Sequence, residues 1–600
     1  MEDSAPLRIA TPDLNLDALS FAATNPEALT EWVSGLPVAD TAQTAALLKQ
    51  ATEELAQLKI DYQGRLALLE ALRPTLEYVC TRLDNNAVKS NDHEAALGQL
   101  AQRLQANLAV GYKSVVTAAL EAVETDRAVL KDVLPLALHR ALSEMSRILL
   151  RSLQLYVAPT EHLWLELNQL FTLAERLGVA GTIVADDINQ SNHKTSVQDA
   201  YLRAVMLAAS KPNQLRHREL TFIFNALEHW TAWVEIKQAD PDALLIIDVE
   251  ADHGPKYVGV AEQPSAPRMI RTDILAFEIE AFLKEIDSKV PVPDYLSAEL
   301  LSHLVDAWGV MRKRVHARAP GTGELKICIG LNDVHYFLSG AVAFRDQLSA
   351  TDAMLKREVN PFLVEETFGP EATTSGDPWD QAFDVGARMP ENPNIEDPER
   401  ILKEAQAGAE VPKRAAKSEP PKHQFFDTQV LDTSPGGYCI QWSANFPKNL
   451  QTGEIIGIRE TDDARWCIAV VRWIRPSASG AITGIELLAP RAIPVAARVI
   501  KKKGGPTDYT RALLLPALKA IDQPSMLITP RLPYQSGHKV HVQRQGIQTT
   551  AQLAEEVIKT ESFNQFTFRM LDGYLENAQI DLNMENLSEM IGDDAPEPSK

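Results

Sequence analysis

Cysteine is scarce in this chain: four in 600 residues, at Cys80, Cys328, Cys439 and Cys467. No two form a C-x-x-C pair, which excludes a zinc knuckle, and their wide spacing gives no disulfide framework. Cys439 and Cys467 fall on candidate strands of one region and are possible neighbours there. Buried, small apolar residues in a reducing compartment account for all four. Positive charge is also short, with 59 Lys and Arg against 81 Asp and Glu, a net −22. A general nucleic-acid binder concentrates Lys and Arg, so that class is excluded, although one local basic site is not. Long apolar runs are missing: stretches such as ALLII at 243–247 fall far short of a membrane span. The start, MEDSAPLRIATPDLN, has no basic opening leading into an apolar core, so no secretory signal is expected. A soluble, cytoplasmic protein is the expectation.

Catalytic patterns are absent as well. There is no G-x-S-x-G, H-E-x-x-H or Walker loop, so no enzyme is expected. GTG at 321–323 lacks the Lys and Ser/Thr that a phosphate loop needs and reads as a turn. His538 and His541 are the one close histidine pair; three apart on a strand they face opposite sides, so no metal site is expected. His335 reads as a satisfied, buried histidine. The acidic pairs Asp186-Asp187 and Asp462-Asp463 read as solvated loop residues. The basic run MRKRVHAR at 311–318 reads as a solvated helix end, with an anion or acidic-partner site as the alternative.

What is present divides the chain by texture. Residues 1–20 look untethered. Asn25-Pro26-Glu27 is a helix start, with a capping side chain, a proline suited to the first helical position and an acid at the dipole's positive end. From there to 238 apolar residues recur at three- and four-residue spacing, as in TAQTAALLKQATEELAQLKI, which predicts a helical domain over 21–238. Pro74 is expected to break or kink one helix. GTIVADDINQSNHKTS at 181–196 reads as a polar loop. Residues 239–350 read as an α+β region, with strands in DALLIIDVE and ELKICIG. Residues 351–423 are rich in Pro, Glu, Ala and Gly and read as a disordered linker. Short strands with turn-rich gaps predict a small antiparallel β-barrel over 424–503 and a β-rich extension over 504–585. Within the extension TAQLAEEVIKT reads as a helix and FNQFTFRML as a last strand; 586–600 read as a disordered tail. The fold class is therefore multidomain α+β: a helical N-terminal half, a mixed middle and a C-terminal barrel with an extension.

DTSPGGYCIQW, 432–442, opens the barrel region. It contains D-x-S-x-x-G at Asp432, Ser434 and Gly437. Glycines there allow unusual dihedrals and close approach to an anion. A carboxylate can accept from the donor edge of guanine, and a hydroxyl can bond phosphate or ribose. The equally physical alternative is a structural turn, with Asp and Ser satisfying backbone donors.

This motif, followed by Gly453-Glu454, the V-V-R-W strand at Val470 to Trp473 and G-I-E-L-L at Gly484 to Leu488, resembles a PilZ domain. The resemblance covers about 425–500. It implies a bacterial receptor for cyclic di-GMP, with the ligand outside the barrel against Asp432, Ser434 and Gly437, and the preceding linker folded over it. The family's other motif, R-x-x-x-R upstream of the barrel, has no copy in the linker. The nearest candidate is Lys413 to Lys417, with Arg414 as its one guanidinium. Lysine offers neither the planar stack nor the bidentate fork of arginine. Two functions follow: a cyclic di-GMP receptor that signals to an unknown protein partner through its helical half, or a non-enzymatic adaptor whose barrel has lost the nucleotide.

Overall fold

In the computed structural model the described residues are 9, 11–87, 92–124, 126–258, 264–309, 319–321, 323–348, 423–434, 436–442, 447, 449–460, 464–477, 480–501, 505–517, 524–544 and 547–571. The expected linker and the expected tail lie outside them, apart from His423. Residues 11–20, read as untethered, are in fact tied down. Leu16 bridges to Leu58, Lys59 pairs with Asp17 at 2.8 Å, and Ser20 Oγ donates to Glu54 at 2.6 Å.

The helical half runs α1 (Pro26–Ser34), α2 (Thr41–Gln57), α3 (Tyr62–Ala87), α4 (Asp92–Ala122), α5 (Val129–Asp132), α6 (Leu134–Gln154) and α7 (Leu163–Arg176). A hairpin of β1 (Ile183–Ala185) and β2 (Lys194–Ser196) follows, then α8 (Val197–Ala209) and α9 (His217–Trp230). Asn25 caps α1 as expected, its Oδ1 accepting from the Ala28 amide at 2.9 Å. Pro74 lies inside α3, which continues through it. Next come β3 (Glu235–Lys237), β4 (Leu245–Asp248), β5 (Lys256–Tyr257) and β6 (Pro267–Arg271), in sheet order β3-β6-β4-β5, with α10 (Asp273–Leu283) and α11 (Ala298–Trp308). One apolar core runs from Leu19 through to Trp308, so these elements are packed onto the helices rather than set apart from them.

That core encloses charge. Asp186, read as a solvated loop residue, is completely buried. Both Arg73 guanidinium ends grip its carboxylate, at 2.6 and 3.0 Å, and Arg140 stands 3.3 Å away. Arg73 Nε also donates to Glu144 at 2.6 Å. The polar loop is thus bolted into the bundle. Its far end is held by Glu228, which accepts from the amides of Gln190, Ser191 and Asn192 and pairs with Arg203 at 3.0 Å. Buried charges of this kind persist because every one is matched.

The rest of the described chain is two closed antiparallel barrels. The first contains β8 (Glu324–Ile329), preceded by the two-residue β7 (Ala319–Pro320). After α12 (Gly330–Leu338) and α13 (Phe344–Gln347) come β9 (Phe426–Ser434), β10 (Gly437–Gln441), β11 (Ile455–Arg459), β12 (Cys467–Ser477) and β13 (Gly480–Ala489). The strands run in order β10-β13-β12-β11-β8-β9, and β9 closes on β10. The boundary expected between a middle region ending at 350 and a barrel beginning at 424 therefore fails: ELKICIG is β8, a wall of this barrel. The physical reason is register. Glu324 to Ile327 pair with Gln429 to Phe426 on one side, and Lys326 to Ile329 pair with Arg459 to Ile456 on the other.

The second barrel is β14 (Ile493–Val499), β15 (Thr510–Leu515), β16 (Met526–Pro530), β17 (Lys539–Arg544), β18 (Ile547–Lys559) and β19 (Phe563–Met570), in order β14-β15-β16-β19-β18-β17. TAQLAEEVIKT, expected as a helix, lies in β18. Pairing on both sides overrides its helical propensity, and Ala551 and Leu553 point into the barrel core. The Glu555-Glu556 pair falls where the register slips, at a bulge that leaves Glu555 exposed and Glu556 half-buried. α12 lies between the barrels: Val334 shares an apolar cluster with Ile455, Ile468, Leu513 and Ile528. Cys439 and Cys467 are on β10 and β12, separated by β13, and none of the four cysteines is in a disulfide.

His335 on α12 is buried as expected, with Nε2 3.2 Å from the Val495 carbonyl oxygen. His139 on α6 is buried too, 2.8 Å from Thr195 Oγ1. Burial pushes each imidazole from 6.5 down to about 3, so both are neutral in the fold. In the unfolded chain they protonate near 6.5, so their contribution is intact above that pH and is lost as pH falls toward 3. Each costs up to about 1.4 kcal/mol per pH unit in that window. Asp186, whose pKa is also depressed, from 3.8, weakens the fold only below about pH 4. The urea midpoint is therefore expected to fall between pH 7 and 5, and less steeply in a His139→Gln, His335→Gln double variant. A flat profile between those pH values contradicts the assignment.

Candidate functional site

The D-x-S-x-x-G residues lie on one hairpin. Asp432 and Ser434 are at the end of β9, and Gly437 begins β10. Ser434 is registered opposite Gly437, Thr433 opposite Tyr438 and Asp432 opposite Cys439; the next pair is Val430 with Ile440. Leu431 is thus the extra residue of a bulge, 41% exposed. Being two apart, Asp432 and Ser434 project to the same face of β9, both half-buried. Gly437 has φ +153°, and a Cβ there would collide with the Ile485 carbonyl oxygen on β13. Only glycine fits, and its small size lets the turn lie flat on the sheet. Ser434 Oγ donates to the Gly437 carbonyl at 3.2 Å, and the Leu487 amide donates to the Gly436 carbonyl at 2.9 Å.

β7 flanks this hairpin on its other edge. Ala319 is registered opposite Thr433 and Pro320 opposite Asp432, and the Gly321 amide donates to the Leu431 carbonyl at 3.1 Å. The chain entering the barrel at Ala319 therefore runs beside the motif carboxylate and hydroxyl. Next to them on the outer sheet, Arg472 donates to Glu486 at 2.6 Å, and Glu486 is opposite Gly437. The Tyr438 hydroxyl donates to Glu460 at 3.0 Å, and burial together with that carboxylate pushes it up to about 12.

Of the other expected site residues, Lys413, Arg414 and Lys417 lie outside the described residues. So does MRKRVHAR at 311–318, which holds a second candidate for that pattern. Because β8 and β7 belong to the barrel, upstream of the barrel means upstream of residue 319. There the chain reads Arg314-Val315-His316-Ala317-Arg318, an R-x-x-x-R ending one residue before β7. The run is legible in the sequence, but that it stands upstream of the barrel follows only once β7 and β8 are assigned to the barrel. Among the described residues no group of His, Cys, Asp and Glu is arranged to hold a metal.

A six-stranded antiparallel barrel carrying D-x-S-x-x-G on one hairpin, with R-x-x-x-R just before its entering strand, is a PilZ domain. Three family models cover the chain in succession. They are the N-terminal domain of "Cyclic-di-GMP receptor FimW" over residues 27–242, its middle PilZ domain over 244–494 and the FimW C-terminal β-barrel domain over 495–571. The cyclic-di-GMP receptor FimW of Pseudomonas aeruginosa is 33% identical over 594 residues, covering 95% of this chain and 94% of that protein. No solved structure matches. The chain belongs to the FimW family.

The closed barrel has a direct consequence for fragments. A piece comprising residues 405–600 lacks β8 and with it Leu325, Ile327 and Ile329 of the barrel core. Of its three tryptophans, Trp442 lies in the first barrel's core and Trp473 on β12, while Trp466 sits in the apolar cluster shared with the second barrel, so Trp442 is the one that reports the first barrel's core. Red-shifted emission without a cooperative melt is expected from the fragment. Buried tryptophan emission with a sharp transition contradicts the strand assignment.

Proposed function

We propose that this chain is a cytoplasmic receptor that binds cyclic di-GMP on the outside of the first barrel, between Arg314 and Arg318 on one side and Asp432, Ser434 and Gly437 on the other. The single observation that carries the reading is the register of β7: the residue after Arg318 lies opposite Thr433, between the two motif side chains. The ligand is a dianion with two guanines. Guanidinium planes stack on guanine and fork onto phosphate, which lysines do not reproduce. The Asp432 carboxylate can accept from the N1–H and amino group of a guanine, and the Ser434 hydroxyl can bond a phosphate or ribose oxygen. Family membership supports the same ligand, since the relative is named for it. The role is reception, with no catalytic step.

The route from this site to the helical half runs through a three-way junction. Arg216, at the start of α9, donates through Nε to the Thr452 carbonyl at 2.7 Å. Ser562 of the second barrel donates to the Gly453 carbonyl at 3.1 Å. Tyr156 of the helical half, at φ 53°, packs into the first barrel's apolar core, where burial pushes its hydroxyl up to about 12. Across the sheet the Gly453 amide donates to Val471, Val471 is opposite Ile485, and Ile485 is opposite Tyr438, next to Gly437. One row of strand pairs thus joins the hairpin to the junction, and a protein partner gripped by the helices is the expected recipient.

Hydrogen exchange on the full chain tests the location. Saturating cyclic di-GMP is expected to slow exchange in 314–321 and 431–438, with a smaller change at 451–454. Protection confined to 411–423 moves the site to the linker, and unchanged exchange throughout rejects it.

A further inference from the structure

α10 is apolar on two faces. Leu275, Ala276 and Ile279 face the core and are buried. The opposite side carries Ile274, 38% exposed, and Phe277, 67% exposed. The helix then ends in a left-handed residue, Glu285 at φ 56°, and the Ile286 amide bonds the Ala281 carbonyl at 2.9 Å. That cap folds Ile286, 60% exposed, back over Ala281, on the same stripe as Phe277; Phe282, 45% exposed, stands at the flank. A contiguous row of large apolar side chains in water marks a contact surface.

Its rim is acidic. Between residues 273 and 287 there are five carboxylates, Asp273, Glu278, Glu280, Glu285 and Asp287, and one lysine, Lys284. Lys284 is already engaged by Glu280 at 2.6 Å. That sign selects the occupant. A second copy of this chain brings the same carboxylates and a net −22. Residues 572–600 of the chain itself carry eight carboxylates and one lysine. An anionic membrane surface is repelled as well. We propose that this α10 face docks an amphipathic helix of a protein partner that presents leucine- or phenylalanine-type residues beside lysine or arginine. The proposal deepens the receptor reading by naming the kind of partner, but it rests on α10 alone, and its test needs no nucleotide.

The probe is a fluorescent peptide of leucine and lysine at helical spacing, titrated with the full chain and read by anisotropy. The variant is Phe277→Ser with Ile286→Ser, which keeps every charge, so attraction to the acidic protein as a whole is unchanged. Both positions are exposed, and a melting curve matching that of the parent confirms that the variant is folded. Saturable binding is expected from the parent chain, at least about tenfold weaker binding from the variant, and none with a leucine–glutamate peptide. Equal binding by parent and variant overturns the proposal, as does no binding by the parent. So does a parent dimer that the double substitution dissociates, since the face then belongs to a second copy. Binding that appears only after the chain is cut following Leu571 also overturns it, since the face is then covered by the chain's own tail.

Discussion

Alanine at both Arg314 and Arg318 is expected to abolish measurable cyclic di-GMP binding, and Arg318→Ala alone to weaken it about ten- to a hundredfold. A hydrogen bond to a charged group is worth about 1.5–3 kcal/mol, and each 1.4 kcal/mol is tenfold in affinity. Arg318 carries the larger single effect because it directly precedes Ala319, the residue registered against Thr433. Arg318→Lys is expected to recover little, since an ammonium keeps the charge but neither stacks on guanine nor forks onto phosphate. The opposing assignment is tested in the same titration. Replacing Lys413, Arg414 and Lys417 together by alanine is expected to change affinity by less than about threefold, which is the size of a screened surface contribution. A hundredfold loss from the linker triple, with the Arg314 and Arg318 variant unaffected, reverses the account.

The largest expected effect on stability is in the helical half, far from the ligand. Asp186→Ala is expected to cost about 3–5 kcal/mol, the range for removing one partner of a buried ion pair. The loss is large because the carboxylate serves two guanidiniums at once: Arg73, whose side chain is 4% exposed, and Arg140, whose side chain is 7% exposed. Arg73 loses more of its compensation, two hydrogen bonds at 2.6 and 3.0 Å, and keeps Glu144 at 2.6 Å, whereas Arg140 loses a 3.3 Å contact and keeps Glu70 at 3.0 Å. Urea unfolding followed at the helical band reads this domain, because most of the helix lies there. The chain has several cores, so the helical transition is fitted by itself rather than as one two-state event. A shift within about 0.5 kcal/mol would mark Asp186 as a surface residue after all.

The same residue shows where reading the sequence stops. A hairpin rich in Asp, Asn and Ser has the composition of a solvated loop, and nothing local distinguishes it from one. Its burial depends on Arg73 and Arg140, which lie more than forty residues away on helices whose facing is decided by packing. The capped start at Asn25, by contrast, is local chemistry and is legible: the side chain that caps α1 is within three residues of the amide it accepts from. The strands after Asp432 are legible for the same reason, since alternation and turn residues are short-range signals. β8 is legible as a strand but not as a member of the barrel, because residues 330–425 intervene before its partner β9. That one misplacement hid Arg314 and Arg318, which then looked like the charged end of a helix. β18 failed differently: its Ala, Leu and Glu content favours a helix, and pairing to β17 and β19 decides otherwise.

The most direct test of the central claim is a calorimetric titration of the full chain with cyclic di-GMP, with GTP and GMP as controls. Saturable binding at micromolar concentration or tighter is expected for the cyclic dinucleotide, and none for the controls, since neither presents two guanines across a pair of phosphates. A sample with intact cooperative melting that releases no heat with cyclic di-GMP contradicts the account, and leaves the hairpin at Asp432 to Gly437 as a structural turn.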